Sequence, residues 1–197
     1  MKDETKRILR EYQNIANLGL DERDEFLEEV TPRDEKQAKV IEFLTDLLEG
    51  KYRTLVLCGT EGAGKTYLSC AAINTELARF YQKNKDIERG PRYIMQRELD
   101  MKFRSAMNES GNSEYKVFTR YSEYSLLVID EVGRSNNSQY NLDNIELLIS
   151  KRYSFHRPTI IITNDTASDV KKMFDRHILD RLAKKGATFE LDTESQR

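Results

Sequence analysis

The chain has 197 residues, of which 32 are Lys or Arg and 34 are Asp or Glu, leaving a formal charge of −2 at neutral pH. That balance excludes a globally basic nucleic-acid binder, so any contact with DNA has to be local. The length suits one domain with a short appendage, and a domain of about 150 residues can bury roughly 70% of its unfolded surface. No apolar run approaches the ~18 residues of a membrane span, and the charged start Met1-Lys2-Asp3-Glu4 lacks a signal-peptide core, so a cytoplasmic protein with no membrane contact is expected. Cys58 and Cys70 read as small apolar residues that pack, and His156 and His177 are too few and too far apart in sequence to suggest zinc.

Residues 6–18 and 21–30 read as short, highly charged helices with sparse apolar positions at Ile8, Leu9, Tyr12, Ile15, Phe26 and Leu27. They read either as a solvated arm with a thin packing stripe or as a docking arm for a partner. Thr31-Pro32 breaks the pattern, and residues 33–49 resume it with Val40, Ile41, Leu44, Leu47 and Leu48 at helical spacing before Gly50. A boundary is expected there, between an amino-terminal helical arm (1–32) and a core domain (33–197). Strand patterns follow at 53–58, 92–96, 125–129, 159–163 and near 188–191, with helical patterns at 64–81, 99–107, 113–121, 141–153 and within 167–184. Apolar strands without polar alternation imply cover on both faces, and hence a parallel α/β sheet flanked by helices.

The strand at 53–58 runs directly into Gly59-Thr60-Glu61-Gly62-Ala63-Gly64-Lys65-Thr66, with Tyr67 next, and then into a helix. A glycine-rich turn in that context lets successive backbone N–H groups converge on a β-phosphate. Lys65 can reach the β- and γ-oxygens, the Thr66 hydroxyl can ligate Mg²⁺, and the helix dipole adds to the same anion site. ATP or ADP with Mg²⁺ is the expected ligand.

Leu126-Leu127-Val128-Ile129-Asp130-Glu131 is an apolar strand delivering two carboxylates at its carboxyl end. Asp130 suits Mg²⁺ held directly or through water beside a phosphate loop. Glu131, pointing differently, can orient the attacking water or accept its proton. At the end of the next apolar strand, Asn164 offers an amide that either hydrogen-bonds the γ-phosphate or simply makes an Asx turn. Arg181 and Arg197 lie beyond these strands, each a candidate γ-phosphate cation or a surface salt-bridge residue.

The order of these elements, from the phosphate loop through Leu-Leu-Val-Ile-Asp-Glu-Val-Gly and Pro-Thr-Ile-Ile-Ile-Thr-Asn to Ile-Leu-Asp-Arg-Leu and the terminal Ser-Gln-Arg, resembles the AAA+ ATPases of the bacterial helicase-loader group. More narrowly it is similar to the DnaC/DnaI loaders and the related IstB transposition helpers. The resemblance implies an AAA+ P-loop core with a five-stranded parallel sheet in the order 5-1-4-3-2. It implies Walker A at 59–66, Walker B at Asp130 and Glu131, sensor 1 at Asn164, an arginine finger at Arg181 acting on a neighbouring subunit, and sensor 2 at Arg197. It further implies self-assembly, a DnaB-type replicative helicase as partner, docking through residues 1–30, and single-stranded DNA as second ligand. DNA contacts are expected from Lys102, Phe103, Arg104 and Met107, whose cations and aromatic ring can track phosphates and stack bases, and from Ser138 and Tyr140. The competing expectation for the first group is an amphipathic helix that packs Phe103 and Met107 into the core. The basic run 151–157 reads as a helix end and solvated loop. The function implied is ATP-dependent loading of a ring helicase onto single-stranded DNA. An IstB-like transposition ATPase is the alternative, followed by a non-hydrolysing ATP switch and a small-molecule P-loop kinase.

Overall fold

A computed structural model describes residues 3–19, 25–83, 86–107, 113–133 and 139–193. The elements in chain order are α1 (Asp3–Ile15), α2 (Glu35–Leu48), β1 (Thr54–Gly59), α3 (Lys65–Gln82), β2 (Arg92–Met95), α4 (Gln96–Met107), α5 (Ser113–Glu123), β3 (Leu127–Asp130), α6 (Gln139–Ser154), β4 (Thr159–Ile162), α7 (Ala167–Met173), α8 (Arg176–Lys185) and β5 (Gly186–Leu191). The strands form one parallel sheet in the order β2-β3-β4-β1-β5, which is the expected 5-1-4-3-2 order read from the other edge.

Strand pleating sorts the apolar runs into two cores. Leu55, Leu57, Leu126, Val128, Ile160 and Ile162 face a layer made by α2, α3 and the segments after α1. Their neighbours Val56, Cys58, Leu127, Ile129 and Ile161 face α4 to α8. Because side chains alternate along a strand, a continuous apolar run is what a sheet covered on both sides requires. α2 begins at Asp34, whose carboxylate caps the Gln37 N–H at 2.8 Å.

The amino-terminal segment lies against this core. Ala16, Leu18, Leu27 and Val30 are buried in the same cluster as the β1 and α3 residues. The helix expected over 21–30 is corrected in its described part, because residues 25–30 form only a turn. Their polar backbone groups are taken by α3 side chains instead of an i→i−4 ladder. Leu27 N–H donates to Thr75 Oγ1 at 3.0 Å, and the Asn74 amide donates to the Glu25 carbonyl at 3.0 Å.

A second correction concerns residues 151–157. The helix does end there, but Arg152 is completely buried rather than solvated. Its guanidinium donates to Thr159 Oγ1 (2.9 Å) and to the carbonyls of Tyr121 (2.9 Å), Tyr124 (2.8 Å) and Pro158 (2.6 Å). It thereby ties α6 to the end of α5 and the start of β4.

Candidate nucleotide-binding site

Parallel strands put the carboxyl ends of β1, β3 and β4 on one edge of the sheet, with β4 between the other two. The phosphate loop leaves β1 there, Asp130 closes β3, and Asn164 follows β4 after Thr163. These three expected parts are thus brought to one crevice, where open α/β sheets bind ligands.

The loop is shaped by its glycines. Gly59 has φ 107°, and a Cβ built on it would meet the Leu191 carbonyl oxygen at 2.1 Å, so only glycine allows β1 and β5 to pair to their ends. Gly64 has φ 89° and starts α3 without a side-chain cap, and the first turn of α3 carries no acidic residue. The first N–H groups of an 18-residue helix therefore face the loop with no acidic residue of α3 itself beside them, which suits an anion site. Thr60, Glu61 and Gly62 are exposed, Ala63 is buried, and Tyr67 is 41% exposed at the mouth.

Lys65 is only 5% exposed, and its ammonium donates to the carbonyls of Gly59 (2.8 Å) and Thr60 (2.6 Å). Anchored at the start of α3, it has the stem length to swing from those carbonyls to phosphate oxygens. The Thr66 hydroxyl donates to Asp130 Oδ2 at 2.9 Å. A hydroxyl and a carboxylate are hard oxygen donors, so this pair suits Mg²⁺. The ion, when bound, would neutralise charge on the β- and γ-oxygens.

Glu131 adopts φ 57°, a left-handed conformation uncommon for a residue other than glycine, and its N–H donates to Asp130 Oδ1 at 2.6 Å. Backbone strain of about 1–3 kcal/mol held at such a position is characteristic of functional sites, and here it turns Glu131 away from the direction of Asp130. Val132 N–H bonds the Ile162 carbonyl at 2.9 Å, locking the turn to β4. Asn164 is partly buried. Its neighbours Thr163 and Asp165 make the side-chain turn, with Thr163 Oγ1 donating to Asp165 at 3.0 Å and accepting from its N–H at 3.1 Å. Cys58, one residue before the loop, is a buried free thiol whose pKa is pushed up to about 11 by burial, so it is not a nucleophile at neutral pH.

Other expected residues lie elsewhere. Arg181 stands on α8 with its guanidinium 5.4 Å from the Tyr153 ring, which also carries Arg53 at 4.8 Å. Arg53 precedes β1, so Arg181 lies toward the amino-terminal end of β1, whereas the phosphate loop leaves the carboxyl end of that strand. One of its terminal nitrogens is buried with no hydrogen-bond partner. Arg197 and Ser138 lie outside the described residues.

Among the DNA candidates, Lys102, Arg104 and Met107 are exposed on α4, Met107 by 58%. Phe103 is corrected: it is 1% exposed and packs in the second core with Tyr121 and Tyr124, so its ring cannot stack a base. The competing expectation holds for Phe103 and fails for Met107, the last residue of α4. Tyr140 is partly buried, and its hydroxyl donates to Glu114 across α5 and α6. His177 is also less isolated than its sequence position suggests, since folding brings ligand atoms of Glu146, Asp175 and His177 within 4.8 Å of one another. Glu146 already accepts the Asp175 N–H at 2.6 Å.

Several site residues escaped sequence reasoning. Tyr93 on β2 donates its hydroxyl to Asp130 Oδ2 at 2.7 Å. Gln37 on α2 braces the loop by donating to the Ala63 carbonyl at 3.2 Å, and Gln96 accepts the Gly133 N–H at 2.9 Å beyond the Glu131 turn. No local pattern singled out Tyr93, which stands between the charged Arg92 and the apolar Ile94 and meets Asp130 only through the sheet.

Fold and site together define a P-loop nucleotide-binding protein of the AAA+ type. A profile of IstB-like ATP binding proteins matches residues 2–197, and the chain belongs to that family. It is 27% identical over 134 residues to the replicative helicase loader DnaC of Escherichia coli K12, a match spanning 68% of this chain but only 51% of the length of DnaC. A crystal structure of the DnaC helicase loader shares the fold with a TM-score of 0.68 at 17% identity, covering 88% of this chain and 99% of that one. A crystal structure of DnaI does so with a TM-score of 0.67 at 18% identity, over 91% and 94% of the two chains. Among the described residues no helix is long and apolar enough to cross a membrane.

Proposed function

We propose that the protein is a cytoplasmic, Mg²⁺-dependent ATPase that loads a ring-shaped replicative helicase of the DnaB type onto single-stranded DNA. The observation that carries this reading is the meeting of Lys65, Thr66, Asp130 and Glu131 at one crevice, in a chain similar to a helicase loader over 134 residues. Thr66 and Asp130 hold Mg²⁺, Lys65 binds the β- and γ-phosphates, Glu131 orients the attacking water, and Asn164 senses the γ-phosphate. The charge on Arg181 serves a neighbouring subunit, a reading supported by its place toward the amino-terminal end of β1 rather than the carboxyl end where the loop begins; subunits carrying Arg181→Ala then depress hydrolysis when mixed with wild type. Arg197 is the second cation of the composite site. Residues 1–30 dock the helicase, and the division of the chain at residue 32 belongs to this reading. Lys102, Arg104 and Met107, with Ser138 and Tyr140, line the DNA path.

The test is loading of the host's replicative helicase onto protein-coated single-stranded DNA by purified protein. ATP-dependent unwinding that requires Lys65 supports the proposal, and unwinding indifferent to the protein sinks it. The family match favours one second reading, an ATPase that recruits a transposase to DNA. Retention of the cognate transposase, with no effect on the helicase, would select it.

A further inference from the structure

Asp130 is gripped at both oxygens. Oδ1 accepts the Glu131 N–H at 2.6 Å, and Oδ2 accepts the hydroxyls of Thr66 at 2.9 Å and Tyr93 at 2.7 Å. Tyr93 pairs in register with Val128, two residues before Asp130, so its ring reaches diagonally along the sheet, a span long side chains can bridge.

β2 is an edge strand, and its outer side is covered by the end of α1. Tyr93 N–H donates to the Ala16 carbonyl at 2.9 Å, the Asn17 amide donates to the Tyr93 carbonyl at 3.2 Å, and the Arg92 guanidinium donates to the Ile15 carbonyl. Asn17 has φ 65° and closes α1 in a Schellman motif, with Asn17 N–H on Asn14 O (3.1 Å) and Leu18 N–H on Gln13 O (3.0 Å). The residue that ends α1 therefore also holds the backbone of Tyr93, on the other side of which the phenol meets the metal-binding carboxylate.

We propose that Tyr93 is a positioning residue for Asp130, and that the end of α1, through Ala16 and Asn17, sets the orientation in which Asp130 meets Mg²⁺. This rests on the reading of Asp130 as a magnesium ligand. A hydrogen bond to a ligating carboxylate fixes its rotation, and loss of such outer partners typically costs 10–100-fold in metal affinity. A partner that tugs on α1 is thereby connected to the carboxylate by two hydrogen-bonded links in series, from the end of α1 to the Tyr93 backbone and from the Tyr93 hydroxyl to Asp130.

The experiment is a Mg²⁺ titration of fluorescent ATP-analogue binding to the full chain, with analogue affinity in EDTA measured alongside. Tyr93→Phe keeps the ring and removes only the hydroxyl. It is expected to raise the Mg²⁺ midpoint about tenfold or more while leaving affinity in EDTA unchanged. Asn17→Gly keeps a residue suited to positive φ and removes the amide, for an expected shift of about 2–10-fold in the same direction. The double variant is expected to shift no further than Tyr93→Phe. A wild-type Mg²⁺ dependence that Tyr93→Phe leaves unchanged overturns the positioning role. Shifts that multiply in the double variant overturn the link to α1. Wild-type binding that ignores Mg²⁺ overturns the proposed function together with this inference.

Discussion

Lys65 and Arg152 are both cations withdrawn from water, 5% and 0% exposed, and both donate mainly to backbone carbonyls. Lys65 bonds two carbonyls of a loop whose next residues, Thr60 to Gly62, are open to solvent, so its partners can be exchanged for phosphate. Arg152 is enclosed on every side by α5, α6 and β4, and its hydrogen-bonding acceptors are neutral oxygens already fixed in the fold. Burial pulls its pKa down to about 9, with Arg157 adding to the effect, yet the group remains charged at pH 7. The same chemistry makes a binding site where one side of the cation faces an open loop. It makes a structural clasp where no side does.

Removing the clasp is expected to have the largest effect. Arg152→Met should destabilise the fold by about 3–5 kcal/mol, since several buried carbonyls each lose a donor worth about 1–3 kcal/mol, and urea unfolding measures it. Nucleotide affinity in the folded fraction should be retained; a loss matching Lys65→Ala would erase the distinction. Lys65→Ala should weaken ATP binding about 100-fold, because charge-assisted bonds to the phosphates disappear, while its unfolding midpoint moves little. Calorimetric titration reads the first and thermal melting the second. The smallest effect belongs to a cation that is not buried. Lys102→Ala should leave stability within about 0.5 kcal/mol and reduce the salt slope of single-stranded DNA binding by about 1. An unchanged slope would remove Lys102 from the DNA path.

The two buried cations also differ in how legible they were. Lys65 announced itself, because phosphate chemistry demands a lysine at a set distance from glycines within one continuous stretch. Arg152 sits in a basic run that local composition assigns to solvent, and its acceptors come from residues 121–124 and 158–159. No window around residue 152 contains the first of these. Tyr93 was missed for the same reason, since its partner Asp130 is 37 residues away and meets it only through strand register. For Phe103 the helical period was sufficient to raise burial as an option, but choosing between core and surface needed the neighbouring helix. The helix expected at 21–30 failed over its described part, residues 25–30, because α3 side chains outcompeted the local backbone ladder.

The amino-acid sequence alone determined the phosphate loop, the carboxylates at the end of β3 and the two-sided burial of the strands, because each is written in contiguous residues that obey backbone geometry and periodicity. The joining of Thr66 to Asp130, the hold of Tyr93 on that carboxylate and of Asn17 on Tyr93, the enclosure of Arg152 and the placing of Arg181 beside Tyr153 came only with the assembled fold. These depend on which strands lie side by side and in what register, a property of the whole chain's packing that no local pattern encodes.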